Sequence, residues 1–374
     1  MAGVICYNDA KSARRSLTQN MATATLIDQT RPDQTTHVRN SSLELLRIFA
    51  MLLIVGSHLS QHGILSYPID SVTINRLWQQ FLRMGGRVGT DTFVILSGYF
   101  LVKSSRIKPQ RLAAMTVKMC FYAVSVFLLL VLRDPKIISS KTRITAFLLD
   151  LNGNWWFIKT YLVLYILHPY INVMLNNLSR KDYRNFLVTL WVCWCIFPTI
   201  TGMRWEASDL TNFISIYCLA GYFRLWAEDF GSKKYIFFGF MFMMADLLTV
   251  IILDVAGLWI PVFGRNALYF RGMMRPFTSM SALCFLLGFR KLDMTYSKVI
   301  NVIASATLGV YLLHENPFST RFLWHGLFRV ELYRYSNFLI VYSVFVVICM
   351  YIMCALVELL RSKIFKTLSR GRLS

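Results

Sequence analysis

Apolar runs long enough to cross a bilayer follow one another from about residue 43 almost to the end of the 374-residue chain. A spanning helix takes about 20 such residues for about 30 Å of hydrocarbon. With 56% apolar and 16% charged residues and a mean hydropathy of +0.49, the composition is that of an integral membrane protein and far from that of an ordinary soluble domain. The expected fold class is all-α, a polytopic membrane helical bundle of about ten transmembrane helices with no soluble domain. The spans are read at 43–60, 88–103, 112–132, 155–175, 186–203, 211–227, 235–253, 276–290, 299–314 and 337–360. The second, eighth and ninth are short and carry Ser, Thr or Gly, the pattern of helices that are tilted, broken or turned toward a cavity.

An even number of spans puts both termini on one side, and the excess of Lys and Arg on that side makes it the cytoplasm. The clearest inside clusters are Lys103, Arg106, Lys108 and Arg111, then Arg180, Lys181 and Arg184, then the basic residues from Arg361 onward. The loop from Arg133 to Arg143 runs against the rule. Localisation in the cell membrane as a multi-pass protein, with both termini cytoplasmic, follows. Residues 1–38 are polar, lack the apolar stretch of a signal peptide and read as a disordered cytoplasmic extension. Residues 39–361 read as one transmembrane domain and 362–374 as a basic cytoplasmic tail.

The formal charge of +21 does not mark a nucleic-acid binder, because the basic residues sit in short loops and form no continuous basic domain. Membrane lipid headgroups account for most of it. Arg76, Arg83, Arg87, Arg265, Arg271 and Arg275 are left over on outer or re-entrant segments, where an anionic ligand would meet them. The cysteines lie mostly inside apolar spans as small hydrophobes, and no disulfide framework or metal site is expected.

Chemistry enters with "LRIFAMLLIVGSH", Leu46 to His58, an apolar helix with an arginine near one end and a histidine at the other. An ionisable residue inside a membrane is a functional candidate by default. Eleven steps of about 100° return Arg47 and His58 to one helix face, and eleven rises separate them by about 16 Å. Glu44, one turn before Arg47, is placed to neutralise it. A purely structural reading also fits, with Arg47 reaching the headgroups and His58 ending the helix. "GGRVGTDTFVILSGYF" then brings Arg87 and Asp91 one turn apart at the mouth of the second span, with Ser97 and Gly98 as a small-residue surface.

These motifs resemble the membrane acyltransferase-3 family of acyl-CoA-dependent sugar O-acyltransferases, over about residues 39 to 360. The resemblance rests on the basic residue, ten others and a histidine from Arg47 to His58. It rests also on "GTDTFVILSGYF", which is similar to the family's Gly-Val-Asp-x-Phe-Phe-x-x-Ser-Gly-Phe with Thr90 and Val94 departing from it. The arginine pair Arg106 and Arg111 in "RIKPQR" is a third match, and "NWWFIKTYLVLYILHP" and "ATLGVYLLHENP" are weaker ones. The resemblance implies transfer of an acyl group, usually acetyl, from cytoplasmic acyl-CoA to a hydroxyl of a cell-envelope carbohydrate, in the manner of bacterial exopolysaccharide or capsule O-acetyltransferases.

Such a reaction needs a base that titrates near neutrality, and histidine meets this without perturbation. His58 is the expected base, with Arg47 and Asp91 as catalytic partners and His62 as a substitute base. Asp91 either orients His58 or pairs with Arg87. Arg47, Arg87, Arg106 and Arg111 are expected to bind the phosphates of acetyl-CoA, the acyl donor. Ser97, Trp155, Trp156 and His314 are candidates for contact with the substrate. The two tryptophans fit an interface anchor as well, and His314 fits a helix end. The expected partners are the acyl-CoA donor, a polysaccharide or lipid-linked glycan acceptor and membrane lipid, with a homo-oligomer also compatible. No nucleophile elbow or zinc motif occurs, so direct transfer is the simpler mechanism. Two rival readings are a secondary transporter and a subunit that passes acyl groups to a separate extracytoplasmic transferase.

Overall fold

A computed structural model describes residues 39–64, 67–68, 71–133, 155–203, 206–272 and 274–370. The extension 1–38, most of the Arg133–Arg143 loop and the last four residues lie outside them. The described residues form helices joined by turns and loops, with no strand among them.

α1 is Ser41–His58, started by Asn40, whose side chain accepts from the backbone of Ser42 and Leu43. It runs on through a π turn, Leu59–Gly63. α2 is Ile74–Leu101, capped by Thr73, and α3 is Pro109–Arg133. α4 is Trp156–Asn177. α5, Arg180–Trp191, continues through the π turn Val192–Ile196 to Phe197–Thr201 and stops at Gly202, whose φ of 72° ends the helix. α6, Asp209–Leu225, opens with a reciprocal Ser208–Thr211 capping box. α7 is Lys234–Gly257, α8 is Pro276–Phe289, α9 is Lys298–Ser305 and α10 is Thr307–His314. α11, Leu339–Arg370, runs unbroken through most of the region read as a separate tail.

Among the described residues, six helical segments are long and apolar enough to cross a membrane: Ser41–Gly63, Pro109–Leu129, Trp156–Asn177, Arg180–Thr201, Lys234–Gly257 and Leu339–Thr367. The other four expected spans are helical but do not meet both conditions. α2 has the length and carries Arg76, Arg83, Arg87 and Asp91. α6 has 17 residues and α8 has 14, while 299–314 is divided between α9 and α10 with 8 residues each. The physical reason is position. α2 and α8 are packed among other helices, with every residue from Gly85 to Leu96 buried except the half-buried Arg87 and Phe93 and every residue from Ser281 to Gly288 buried, and a helix that meets protein on most sides need not be apolar or bilayer-long. The lipid-length segments α3 and α7 instead expose large apolar side chains such as Leu128, Leu129, Phe237 and Ile252.

Glycines set how closely α2 approaches its neighbours. A Cβ on Gly86 would fall 2.2 Å from Ser57 Cβ, and one on Gly98 would fall 2.6 Å from the Tyr217 carbonyl oxygen. The "GG" and "SG" pairs therefore let α1 and α6 lie against the α2 backbone. The first contact also sets Arg87 beside the end of α1 that carries His58.

Candidate active site

Two helical runs begin together and end together. At one end Ser41 Oγ accepts from Ser297 N (2.8 Å) and from Asn301 Nδ2 (3.2 Å), which joins the starts of α1 and α9. His58 follows Ser41 by as many residues as His314 follows Ser297, and at the far end the two imidazoles meet, His58 Nδ1 lying 2.8 Å from His314 Nε2. His314 Nδ1 is 2.6 Å from the Val310 carbonyl, which can only accept, so this nitrogen carries a proton. His314 Nε2 is then the acceptor when the ring is neutral, and His58 Nδ1–H donates to it. The tautomer follows from the network: His58 is left with a free lone pair on Nε2.

Glu315 completes the cluster. Its Oε2 lies 3.0 Å from His58 Nδ1 and 3.3 Å from His62 Nε2. A carboxylate beside Nδ1 holds the ring and offsets positive charge that develops on it. The π turn after His58 carries His62 to within 5.8 Å of the His58 ring, centroid to centroid, and such turns recur at functional sites. The His58 side chain keeps 12% of its accessible surface, which leaves an opening to a ring otherwise enclosed by Tyr311, His62 and His314. Tyr67 OH donates to the Arg334 carbonyl and Asn75 Nδ2 to the Arg334 and Ser336 carbonyls, tying Tyr67 and the first turn of α2 to the stretch before α11. Burial pushes the Tyr67 phenol up to about 12, so it stays a donor.

Asp91, read either as the group that orients His58 or as a partner of Arg87, lies on the Arg87 side. It is fully buried, accepts from Ser279 Oγ at 3.1 Å and faces Arg87 one turn away. The carboxylate at the imidazole is Glu315, which the sequence offered only as the residue after a helix end. Its signal was "LLHENP", a histidine and an acid side by side where an apolar helix stops.

A family model for an acyltransferase domain matches residues 40–358. The chain belongs to the acyltransferase-3 family. No curated protein and no solved structure matches it. It is a membrane acyltransferase, and the histidine of its first helix lies in the cluster just described.

The acyltransferase places its other candidate residues in two groups. At the opposite end of α1, Arg47 pairs with Glu44 at 2.6 Å and lies 5.5 Å from the Phe100 ring. Arg47 and Arg111 are both near enough to Tyr161 to act on it electrostatically, and Tyr161 OH is 3.4 Å from Ser97 Oγ. Ser97 also donates to the Phe93 carbonyl within its own helix. Arg106 and Arg111 are exposed. Arg87 does not join them: it stands 14 residues before the end of α2, about 20 Å along the helix, with its guanidinium 5.5 Å from the Trp156 ring. Trp155 is buried with its indole N–H unpartnered among the described residues.

One donor atom each from His58, His314 and Glu315 lies within 4.8 Å of the others, a spacing that would also suit a divalent metal. Two imidazoles and a carboxylate form a known ligand type for zinc. In the arrangement described here, two of those donors are engaged with each other through the His58–His314 hydrogen bond.

Proposed function

We propose that this acyltransferase moves an acetyl group from cytoplasmic acyl-CoA to a hydroxyl of a cell-envelope or extracellular polysaccharide, with His58 as general base and both termini on the cytoplasmic side. The observation that carries the reading is the His58–His314–Glu315 cluster, in which Nδ1 is held and Nε2 is free. In the transfer, His58 Nε2 takes the proton of the acceptor hydroxyl as its oxygen bonds to the thioester carbon. The C–S bond then breaks, and His58 returns the proton to the departing thiolate. Glu315 stabilises the imidazolium between the two steps, and His314 keeps its ring in place. No acyl-enzyme is required.

Arg47, Arg106 and Arg111 are the residues for the donor's phosphates, because guanidinium groups match phosphate oxygens. Arg47 lies about 16 Å along α1 from His58, a separation that suits the extended pantetheine arm between phosphate and thioester. α1 then acts as a ruler between the anionic head of the donor and its reacting carbonyl.

The test is the O-acetyl content of the cell's surface polysaccharide, read by NMR in a deletion strain complemented with wild type, His58→Ala or Arg47→Ala, each checked for membrane insertion. Wild type restores a discrete O-acetyl signal and both variants fail. Full restoration by His58→Ala would remove it as the base. No acyl change with wild type would bring the transporter reading forward.

A further inference from the structure

Near the His58 end of α2 the molecule gathers arginines that make no ion pair at contact distance among the described residues. Arg83 Nε, Arg271 Nη1 and Arg275 Nη1 are buried and have no hydrogen-bond partner among the described residues. Nor is any of Arg83, Arg87, Arg271 and Arg275 within ion-pair distance of a described carboxylate. Arg271 is close enough to Arg83 and Arg87 to be repelled by both, and the buried Asp246 offsets this only in part. Buried guanidinium groups are ordinarily paired, since an uncompensated charge out of water is costly. Arg76 on the same helix shows the ordinary solution, with Asp254 at 2.5 Å.

Two of the four, Arg87 and Arg275, border a cavity of about 470 Å3 together with Trp194, Ser208 and Asn212, within the size range that holds small ligands; Arg83 and Arg271 stand behind Arg87, close enough to act on one another. Asn212 Oδ1 is a buried acceptor without a partner among the described residues, and Asp209 is the exposed acid on the wall. The cavity thus offers guanidinium groups for an anion, an unfilled acceptor for a hydroxyl and an indole. It is also next to the reacting end of α1: Gly86 touches Ser57, and Arg87 acts electrostatically on His58.

We infer that Arg83, Arg87, Arg271 and Arg275 form the subsite for an anionic group, a carboxylate or a phosphate, carried by the acceptor glycan close to the hydroxyl that is acylated. The inference rests on the O-acyl transfer reading for the word acceptor, and on the arginines and cavity alone for the anion. Donor phosphates do not fit here. They lie a full pantetheine arm from the thioester, whereas Arg87 follows directly the residue packed on Ser57, beside the base. The donor's head belongs at the Arg47 end.

The experiment uses the full chain in nanodiscs of phosphatidylcholine alone, with methyl glucuronoside, methyl glucoside and inorganic phosphate as probes. Thermal unfolding comes first. Methyl glucuronoside and phosphate raise Tm and methyl glucoside does not. Arg271→Gln and Arg275→Gln abolish the rise without lowering the ligand-free Tm, because each removes a half-buried cation that has no ion pair at contact distance among the described residues. Absence of a rise with both anions, or a rise that survives both substitutions, overturns the site. A rise that saturating CoA abolishes assigns the arginines to the donor. A ligand-free Tm that climbs with added anionic lipid, and only while Arg275 is present, assigns them to headgroups.

Acetyl transfer from acetyl-CoA comes second. Wild type prefers methyl glucuronoside to methyl glucoside by about tenfold in kcat/KM, the weight of one charge-assisted contact. The preference vanishes in Arg275→Gln with KM for acetyl-CoA unchanged. Transfer without preference defeats the acceptor assignment. Binding of the anions with no transfer to any sugar leaves the anion subsite standing and defeats the acyl-transfer reading instead.

Discussion

At the scale of single residues, the chemistry depends on which nitrogen of His58 is free. Nδ1 is taken by His314 Nε2 at 2.8 Å and flanked by Glu315 at 3.0 Å, so the proton of an incoming hydroxyl has Nε2 as its destination. His58→Ala is expected to lower acetyl transfer by about 10²- to 10⁴-fold, the usual contribution of a positioned acid–base group, measured as CoA release by protein in nanodiscs. Glu315→Gln keeps the shape and removes the charge, and it lowers kcat by less than His58→Ala while KM for acetyl-CoA holds. His62→Ala retains most of the rate, because His62 meets the cluster through Glu315 and by ring contact with His58, and does not hold His58 Nδ1. If His62→Ala were the more damaging of the two histidine variants, the base would have to be reassigned.

At the scale of elements, the site depends on backbone approach. α2 has no side chain at the points where α1 and α6 press on it. Gly98→Val would drive carbon into the Tyr217 backbone, and overpacking of this kind costs about 1–3 kcal/mol. The expected result is a lowered Tm of the solubilised protein. Gly326→Ala, whose nearest neighbour would be a Phe322 ring carbon at 3.4 Å, leaves Tm near wild type. The helix starts are fixed more locally. Asn40 caps α1 through its side chain, and Asn40→Ala is expected to cost about 1 kcal/mol, read in the same assay.

At the scale of the whole molecule, buried ion clusters join distant elements. Glu358 on α11 accepts from Tyr122 OH at 2.6 Å, pairs with Lys118 at 2.7 Å and with Arg361 at 2.8 Å, while Gly309 of α10 lies against its side chain. Glu358→Ala leaves two cations without their carboxylate, a loss that costs about 3–5 kcal/mol for a buried pair. It is expected to reduce thermal stability sharply, and Glu358→Gln less so. The sequence left Asp91 between orienting His58 and pairing with Arg87, and it did not single out Glu315 as a neighbour of His58; both have one cause. Position along a helix gives the depth of a side chain, but the side chain opposite it comes from another part of the chain.

The linear sequence determined that the chain is a membrane protein built of helices, because hydrocarbon demands long apolar runs and these are visible without a fold. It also determined Arg47 and His58 as a pair on one helix face, because helix periodicity is local, and its motifs carried the likeness to the family whose model matches residues 40–358. The tertiary structure decided the partners of those residues. His58 and His314 are 256 positions apart, and Asp91 and Ser279 are 188 apart; no spacing rule reaches that far. It likewise decided which helices face lipid and which lie inside, and so which polar segments the membrane tolerates. Burial by neighbours is a property of packing, and only the folded chain has it.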